Sequence, residues 1–135
     1  MTERICKYNP YTGYTYALSD HAIKRMYERF SKNGTKEVNI EKEFKTFHHF
    51  ITRPVVDDEV IANLNVGEEA VVKNCSDKKV YVVTIADNGE KGLDVLLKTV
   101  LLDNGIKQYT PRKGQTLYRV YKDGTLHKWR HLDKK

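Results

Sequence analysis

The sequence predicts an α+β fold in which two N-terminal helices pack on a four- to five-stranded antiparallel sheet. Two segments with apolar residues at helical spacing come first, and segments with the two-residue period of strands follow. Turn-forming residues separate those later segments, which is typical of an antiparallel meander. We expect the 135 residues to form a single domain, with an arm or strand over 1–17, two helices within 18–52, and the sheet with its C-terminal hairpin over 68–132.

Both helices have recognisable starts. Ser19 is a suitable N-cap for a helix from Asp20 to about Ser31, because its hydroxyl can accept a hydrogen bond from a free N–H of the first turn. Asn39 suits the same role for a helix over 40–51, in which apolar residues recur every three or four positions. The spacing therefore predicts two amphipathic helices.

The predicted strands are rich in Val, Ile, Leu and Thr. They cover Glu69–Cys75, Lys79–Ala86, Leu93–Leu102, Thr116–Tyr121 and Thr125–His131. Between the last two, Asp123-Gly124 predicts a two-residue hairpin turn. Such a turn would place Val120 opposite His127 and Tyr118 opposite Trp129.

The composition favours an anionic partner. The chain has 24 Lys and Arg residues against 18 Asp and Glu residues, which gives a net charge of +6. Many soluble domains are mildly basic as well, so charge alone leaves the partner open.

Cys6 and Cys75 lie in unrelated contexts, and we expect reduced thiols. We see no signal peptide and no apolar run near the ~20 residues of a membrane span, so we expect a cytoplasmic protein without a membrane partner.

The first helix contains the residue pattern that points most directly to a function. His21, Arg25 and Arg29 follow one another at four-residue steps, so their side chains share one face beside the apolar arc. A phosphate between them would relieve the repulsion of the two guanidinium groups, which match phosphate oxygens two at a time. The alternatives are solvated or acid-paired arginines, and a capping or packing role for His21.

The segment LSDHAIKRMYERF resembles the S-x-HA-x-x-R-M-x-x-R helix of small bacterial toxin-like domains. These are the DUF4258-type proteins and the C-terminal modules of polymorphic toxins, in the barnase–EndoU–colicin–RelE-like (BECR) group of endoribonucleases. The preceding NPYTGYTYALS is similar to their approach strand, and GLDVLLKTVLL to a late strand. Phe30-Ser31-Lys32 departs from the Gly-Ile pair that usually follows the helix motif, and residues 105–135 have no counterpart.

The resemblance implies metal-independent cleavage of RNA without a cofactor. The ribose 2′-hydroxyl attacks its own phosphate, which requires a base, an acid and cations on the phosphate. His21 is then the candidate acid or base, with Arg25 and Arg29 as the phosphate clamp. Thr99, carried over from the strand resemblance, would donate its hydroxyl to the phosphate, although an ordinary strand residue is an equal alternative. Lys98 would lie on the other face of that strand, so only one of the two would line the site.

The C-terminal hairpin offers a second cluster, because aromatic side chains beside cations suit the stacking of unpaired bases. Candidate RNA-binding residues are Lys98, Tyr118, Arg119, Lys128, Trp129 and Arg130. His127 is the candidate second proton-transfer residue, with packing between Trp129 and Tyr118 as the stronger alternative. The neighbouring His48 and His49 point about 100° apart on their helix, and we expect no metal site there.

Two functions remain in view. The first is a toxin-like endoribonuclease, of phage or polymorphic-toxin type, that cleaves tRNA or other single-stranded RNA and has an immunity or antitoxin protein as a candidate partner. The second is a non-catalytic basic module on the same scaffold that binds nucleic acid or inhibits a protein, such as a phage accessory or antidefence protein.

Overall fold

A computed structural model describes residues 5–10, 12–30, 38–87, 89, 92–102 and 115–130 of the chain. Seven strands, three helices and one π-helical segment make up its regular structure. In chain order these are β1 (Cys6–Tyr8), β2 (Tyr14–Leu18), α1 (Asp20–Arg29), α2 (Ile40–Ile51), α3 (Pro54–Val56), the π-helical segment (Asp57–Ile61), β3 (Glu69–Asn74), β4 (Lys79–Asp87), β5 (Leu93–Leu102), β6 (Gln115–Val120) and β7 (Leu126–Arg130).

The predicted four- to five-stranded antiparallel sheet is wrong. The described strands form one seven-stranded mixed sheet in the order β1-β2-β5-β4-β3-β6-β7. Strand β2 runs parallel to β5, and β3 runs parallel to β6. The N-terminal segment, for which an arm or strand was expected, pairs as β1 and β2 and then joins the sheet beside β5. Two strands therefore precede the helices, and the sheet is not a simple meander.

Both predicted helix starts are confirmed. The Ser19 hydroxyl accepts from the Ala22 N–H at 3.0 Å, and the Asn39 side chain accepts from the Lys42 N–H at 3.1 Å. Helix α1 ends at Arg29, two residues before the predicted boundary. These caps satisfy N–H groups that a helix leaves without an internal partner.

The main core lies between the helices and one face of the sheet. The ring of Phe47, on α2, packs against that of Tyr81, on β4, with centroids 5.2 Å apart, and both side chains are fully buried. The opposite face has a smaller cluster of buried residues: Val71, Val80, Val82 and Leu117. Both faces of the central strands are therefore buried, as in sheets that contain parallel pairs.

A β-bulge interrupts the pairing of β4 with β5. Val82 stands opposite Thr99 and Val83 opposite Leu97, so Lys98 is the extra residue. An extra residue shifts the alternation of side chains along its strand. Leu97 faces the helices before the bulge, and Val100 does so after it.

The predicted register of the β6–β7 hairpin is wrong by one residue. The observed pairs are Val120 with Leu126, Arg119 with His127, and Tyr118 with Lys128. The predicted pairs were Val120 with His127 and Tyr118 with Trp129. A slip of one residue changes which side chains of the two strands share a face, so Lys128 rather than Trp129 lies beside Tyr118.

The turn of this hairpin explains the slip. The Tyr121 N–H donates to the Thr125 carbonyl at 2.9 Å, which leaves three residues in the connection rather than two. Asp123 Oδ1 accepts from both the N–H and the hydroxyl of Thr125, and Gly124 has a φ of +91°. A three-residue connection with glycine in the left-handed region is the next most common hairpin after the two-residue type.

Candidate functional site

Helix α1 is held along β5 at both ends. At its start, the Ser19 N–H donates to the Leu97 carbonyl and the Ser19 hydroxyl donates to the Lys98 carbonyl, each at 3.0 Å. At its end, Arg29 Nη1 donates to the Val100 carbonyl at 2.6 Å. Strand β2 stops at Leu18, so α1 takes its place beside the second half of β5.

An open cleft of about 360 Å³ lies where α1 meets the sheet. Its lining side chains are His21, Arg25 and Arg29 from α1, Lys98, Thr99 and Leu101 from β5, with Glu69, Val82 and Gln115 from the neighbouring strands. We call it the α1 cleft. The structure thus brings five of the predicted site residues to one recess: His21, Arg25, Arg29, Lys98 and Thr99.

The bulge explains why Lys98 and Thr99 both line the α1 cleft. We predicted that only one of them would, because regular alternation places neighbouring side chains on opposite faces. The extra residue in β5 breaks that alternation. The prediction of mutual exclusion is therefore wrong, and the cleft gains an ammonium group and a hydroxyl group together.

The α1 side chains form a short chain of hydrogen bonds. Arg25 Nε donates to His21 Nε2 at 3.3 Å, and Arg25 Nη1 donates to Glu28 Oε1 at 2.5 Å. The hydrogen bond from Arg25 holds the pKa of the Glu28 carboxyl below its usual range. An imidazole nitrogen that accepts a hydrogen bond carries a lone pair and no proton.

The far wall of the cleft carries a carboxylate held by two donors. Glu69 accepts from Gln115 Nε2 at 2.7 Å and from the Lys98 ammonium group. The sequence analysis missed both Glu69 and Gln115. Glu69 follows another glutamate and looks like a solvated strand start, and Gln115 reaches it only through the parallel β3–β6 pair. No local pattern contains that pairing.

His127 does not reach the α1 cleft. One row of paired residues crosses the sheet from β5 to β7: Leu101, Val80, Lys73, Arg119 and His127. Four strand spacings of ~4.8 Å place His127 about 19 Å from Leu101, which lines the cleft. This distance is too long for His127 and His21 to act on the same phosphate.

The other predicted RNA-binding residues also lie away from the cleft. Tyr118 is only 5% exposed, and the Lys128 ammonium group lies over its ring, 5.8 Å from the centroid. Its ring therefore packs in the core. Arg119 pairs with His127 in the sheet. For Trp129 and Arg130 the structure describes the backbone pairing alone, with Leu117 and Thr116.

The described ranges contain neither a metal-binding cluster nor a helix that could span a membrane. No three His, Cys, Asp or Glu side chains there converge in a way that would hold a metal ion. Nor does any helix in those ranges combine the length and apolarity required to cross a bilayer.

Burial lowers the pKa of His48, which packs edge-on against the Tyr16 ring.

Comparison of the chain with protein-family models, curated proteins and solved structures finds no match. The resemblance of α1 to the BECR toxin helix therefore stays a prediction.

Proposed function

We propose that the chain is a metal-independent endoribonuclease that cleaves RNA in the α1 cleft and leaves a 2′,3′-cyclic phosphate. The observation that carries the proposal is the convergence of an imidazole, three cationic side chains, a hydroxyl and a carboxylate on one open recess. Transesterification by a 2′-hydroxyl needs these groups: two for proton transfer, and donors for the negative charge on the phosphate.

Glu69 and His21 have complementary roles in this proposal. The Glu69 carboxylate accepts from Lys98 and Gln115, which hold it in the cleft, where it can take the 2′-hydroxyl proton. His21 then protonates the leaving 5′-oxygen, since an imidazole changes protonation near neutral pH. This assignment replaces His127 with a residue on the same cleft.

Protonation of His21 also releases a phosphate ligand. A protonated Nε2 has no lone pair, so it can no longer accept from Arg25 Nε. The Arg25 guanidinium is then available to the phosphate together with Arg29, while the Thr99 hydroxyl donates from the sheet side.

The test is cleavage of total RNA and tRNA in the presence of EDTA, with the cut ends mapped for 2′,3′-cyclic phosphate. His21→Ala and Glu69→Gln should each lower the rate by about 100-fold or more, since single groups of this kind contribute at least that much. His127→Ala is the matched control and should cleave like the wild type. Uncut RNA with the wild-type protein, or equal losses in His21→Ala and His127→Ala, would remove the proposal.

A second candidate function is supported by the hydrogen bonds of the two arginines. Arg25 already pairs with Glu28, and Arg29 already donates to the Val100 carbonyl, which are roles that hold α1 in place. A non-catalytic module that binds nucleic acid or inhibits a protein would keep these bonds. Salt-sensitive binding of RNA without cutting would favour this alternative.

A further inference from the structure

A second basic cleft lies on the opposite side of the sheet, against α2. It has a volume of about 590 Å³ and is lined by Lys42, Lys45, Thr46, His49, Phe50, Arg53, Asn74, Ser76 and Lys122. We call it the α2 cleft. The sequence analysis expected no metal site at His49 and did not consider the lysines of α2.

Helical spacing places its basic residues on one side of α2. Lys42, Lys45 and His49 follow one another at steps of three or four residues and form one stripe, and Arg53 follows two residues after the helix ends. The other wall comes from two turns: Asn74 and Ser76 lie at the end of β3, and Lys122 at the end of β6. Three segments distant in sequence therefore present donors to one recess.

No acidic side chain lines the α2 cleft among the described residues. Three nearby carboxylates have other partners: Glu43 pairs with Lys79 at 3.0 Å, Asp77 accepts from the Lys79 N–H, and Asp123 accepts from Thr125. Within the same part of the chain, Lys45, Arg53 and Lys122 form no ion pair. The positive charge of the stripe is therefore not neutralised inside the described protein.

The turn residues add directional donors. Asn74 Oδ1 accepts from the Ser76 N–H at 3.1 Å, so the donor end of that amide remains for a ligand. The Arg53 guanidinium lies against the β6–β7 turn, with Nη2 3.9 Å from the position of a Cβ on Gly124. Gly124 has a φ of +91°, a backbone conformation of this turn that favours glycine.

The α1 cleft extends from Glu69 and Gln115, at the starts of β3 and β6, to Leu101 near the end of β5, and its Leu101 side approaches the α2 cleft. Asn74 pairs with Lys79, and Lys79 pairs with Leu102, next to the Leu101 that lines the α1 cleft. Two strand spacings therefore separate the backbones of Asn74 and Leu102 by ~10 Å. A strand of phosphates that leaves the α1 cleft beside Leu101 can pass this end of the sheet and reach the α2 cleft.

We infer that the α2 cleft binds the phosphodiester backbone of an RNA strand whose neighbouring segment lies in the α1 cleft, an inference that rests on the proposed function for its choice of RNA. Phosphate oxygens match lysine and arginine donors, and such contacts hold a strand without reading its bases. An acidic protein segment is the competing occupant. It accounts less well for donors spread over a helix and two turns.

Binding is measured with a labelled 2′-O-methyl oligonucleotide of about twelve nucleotides, which lacks the attacking hydroxyl and cannot be cut. Each phosphate contact adds ~0.7 to the slope of log K against log salt for a single strand. Lys45→Gln with Arg53→Gln should therefore lower that slope by about 1.4 and weaken binding about 20-fold at about 0.1 M salt. A second pair, Lys42→Gln with Lys122→Gln, should do the same from other segments.

The matched control is Lys7→Gln with Lys24→Gln, which removes two exposed charges outside both clefts. It should keep a slope near that of the wild type. Equal losses in the control and the α2-cleft variants, or loss of polyglutamate binding instead of oligonucleotide binding, would overturn the inference. Because the probe cannot be cut, wild-type binding by the α2-cleft variants removes this inference alone, whereas uncut RNA removes the proposed activity alone.

Discussion

Two tyrosine hydroxyls are buried at the centre of the main core. Tyr16 and Tyr81 are fully buried, and neither hydroxyl has a hydrogen-bond partner within the described residues. A buried polar group without a partner costs about 1–3 kcal/mol, because it has lost its hydrogen bonds to water. The aromatic rings stabilise the core by their area and contacts with other rings, so the hydroxyls oppose folding while the rings favour it.

We expect Tyr81→Phe to raise the free energy of unfolding by about 1 kcal/mol, because it removes the unsatisfied hydroxyl and keeps the ring that packs on Phe47. Urea denaturation followed by circular dichroism measures the change. Tyr8→Phe is the control, since Tyr8 is 57% exposed and its hydroxyl reaches water. A loss of stability in Tyr81→Phe would indicate that the hydroxyl has a partner after all.

The same burial predicts a loss of stability in alkaline solution. Burial, with a smaller contribution from Asp57, raises the pKa of Tyr16 to about 12, against ~10 in an unfolded chain. Between these values the unfolded chain binds fewer protons than the folded one, so the free energy of unfolding falls as pH rises. We expect a loss of about 1 kcal/mol from Tyr16 between pH 9 and pH 11. Urea denaturation at both pH values should show a smaller loss in Tyr16→Phe than in the wild type, and an unchanged loss in Tyr121→Phe.

At the scale of single elements, α1 shows both what local spacing predicts and what it omits. The four-residue steps correctly place His21, Arg25 and Arg29 on one cleft, because side-chain direction on a helix depends on sequence separation. The bulge at Lys98 depends on how β5 pairs with β4, and no periodicity within β5 reveals it. The same limit explains the error in the β6–β7 register. There, the hydrogen bond from the Thr125 N–H to Asp123 stabilises a connection of three residues instead of two.

Ser19 links α1 to the bulge in β5, so loss of its hydroxyl should weaken both the helix start and the contact with the bulge. Ser19→Ala removes an N-cap bond to Ala22 and a bond to the Lys98 carbonyl. We expect the free energy of unfolding to fall by about 2 kcal/mol, against about 1 kcal/mol for Asn39→Ala, which removes a cap alone. Chemical denaturation of both variants, with Ser76→Ala as an exposed control, checks the difference. Equal effects of Ser19→Ala and Asn39→Ala would mean that the bond to the bulge contributes nothing.

At the scale of the whole molecule, the number of strands and their order were the least predictable features. The strand segments after the helices were found to within one or two residues at each end, because they carry strong composition and alternation. The parallel pairs join β2 with β5 and β3 with β6, which lie far apart in sequence. These pairs form only when the whole chain collapses, so the sequence pattern does not predict them. For that reason the predicted site lacked Glu69 and Gln115.

The place of β2 inside the sheet has a direct energetic consequence. Leu18, at the end of β2, is 4% exposed and packs in the main core, whereas Tyr8 of β1 is exposed. Leu18→Ala should therefore lower the free energy of unfolding by about 2–5 kcal/mol, a large share of the roughly 5–15 kcal/mol typical of a domain. Tyr8→Ala, on the outer strand of the same hairpin, should cost less than about 1 kcal/mol. Urea denaturation of the two variants separates the alternatives: a peripheral N-terminal arm gives two small effects, while the seven-stranded sheet gives a large loss for Leu18→Ala alone.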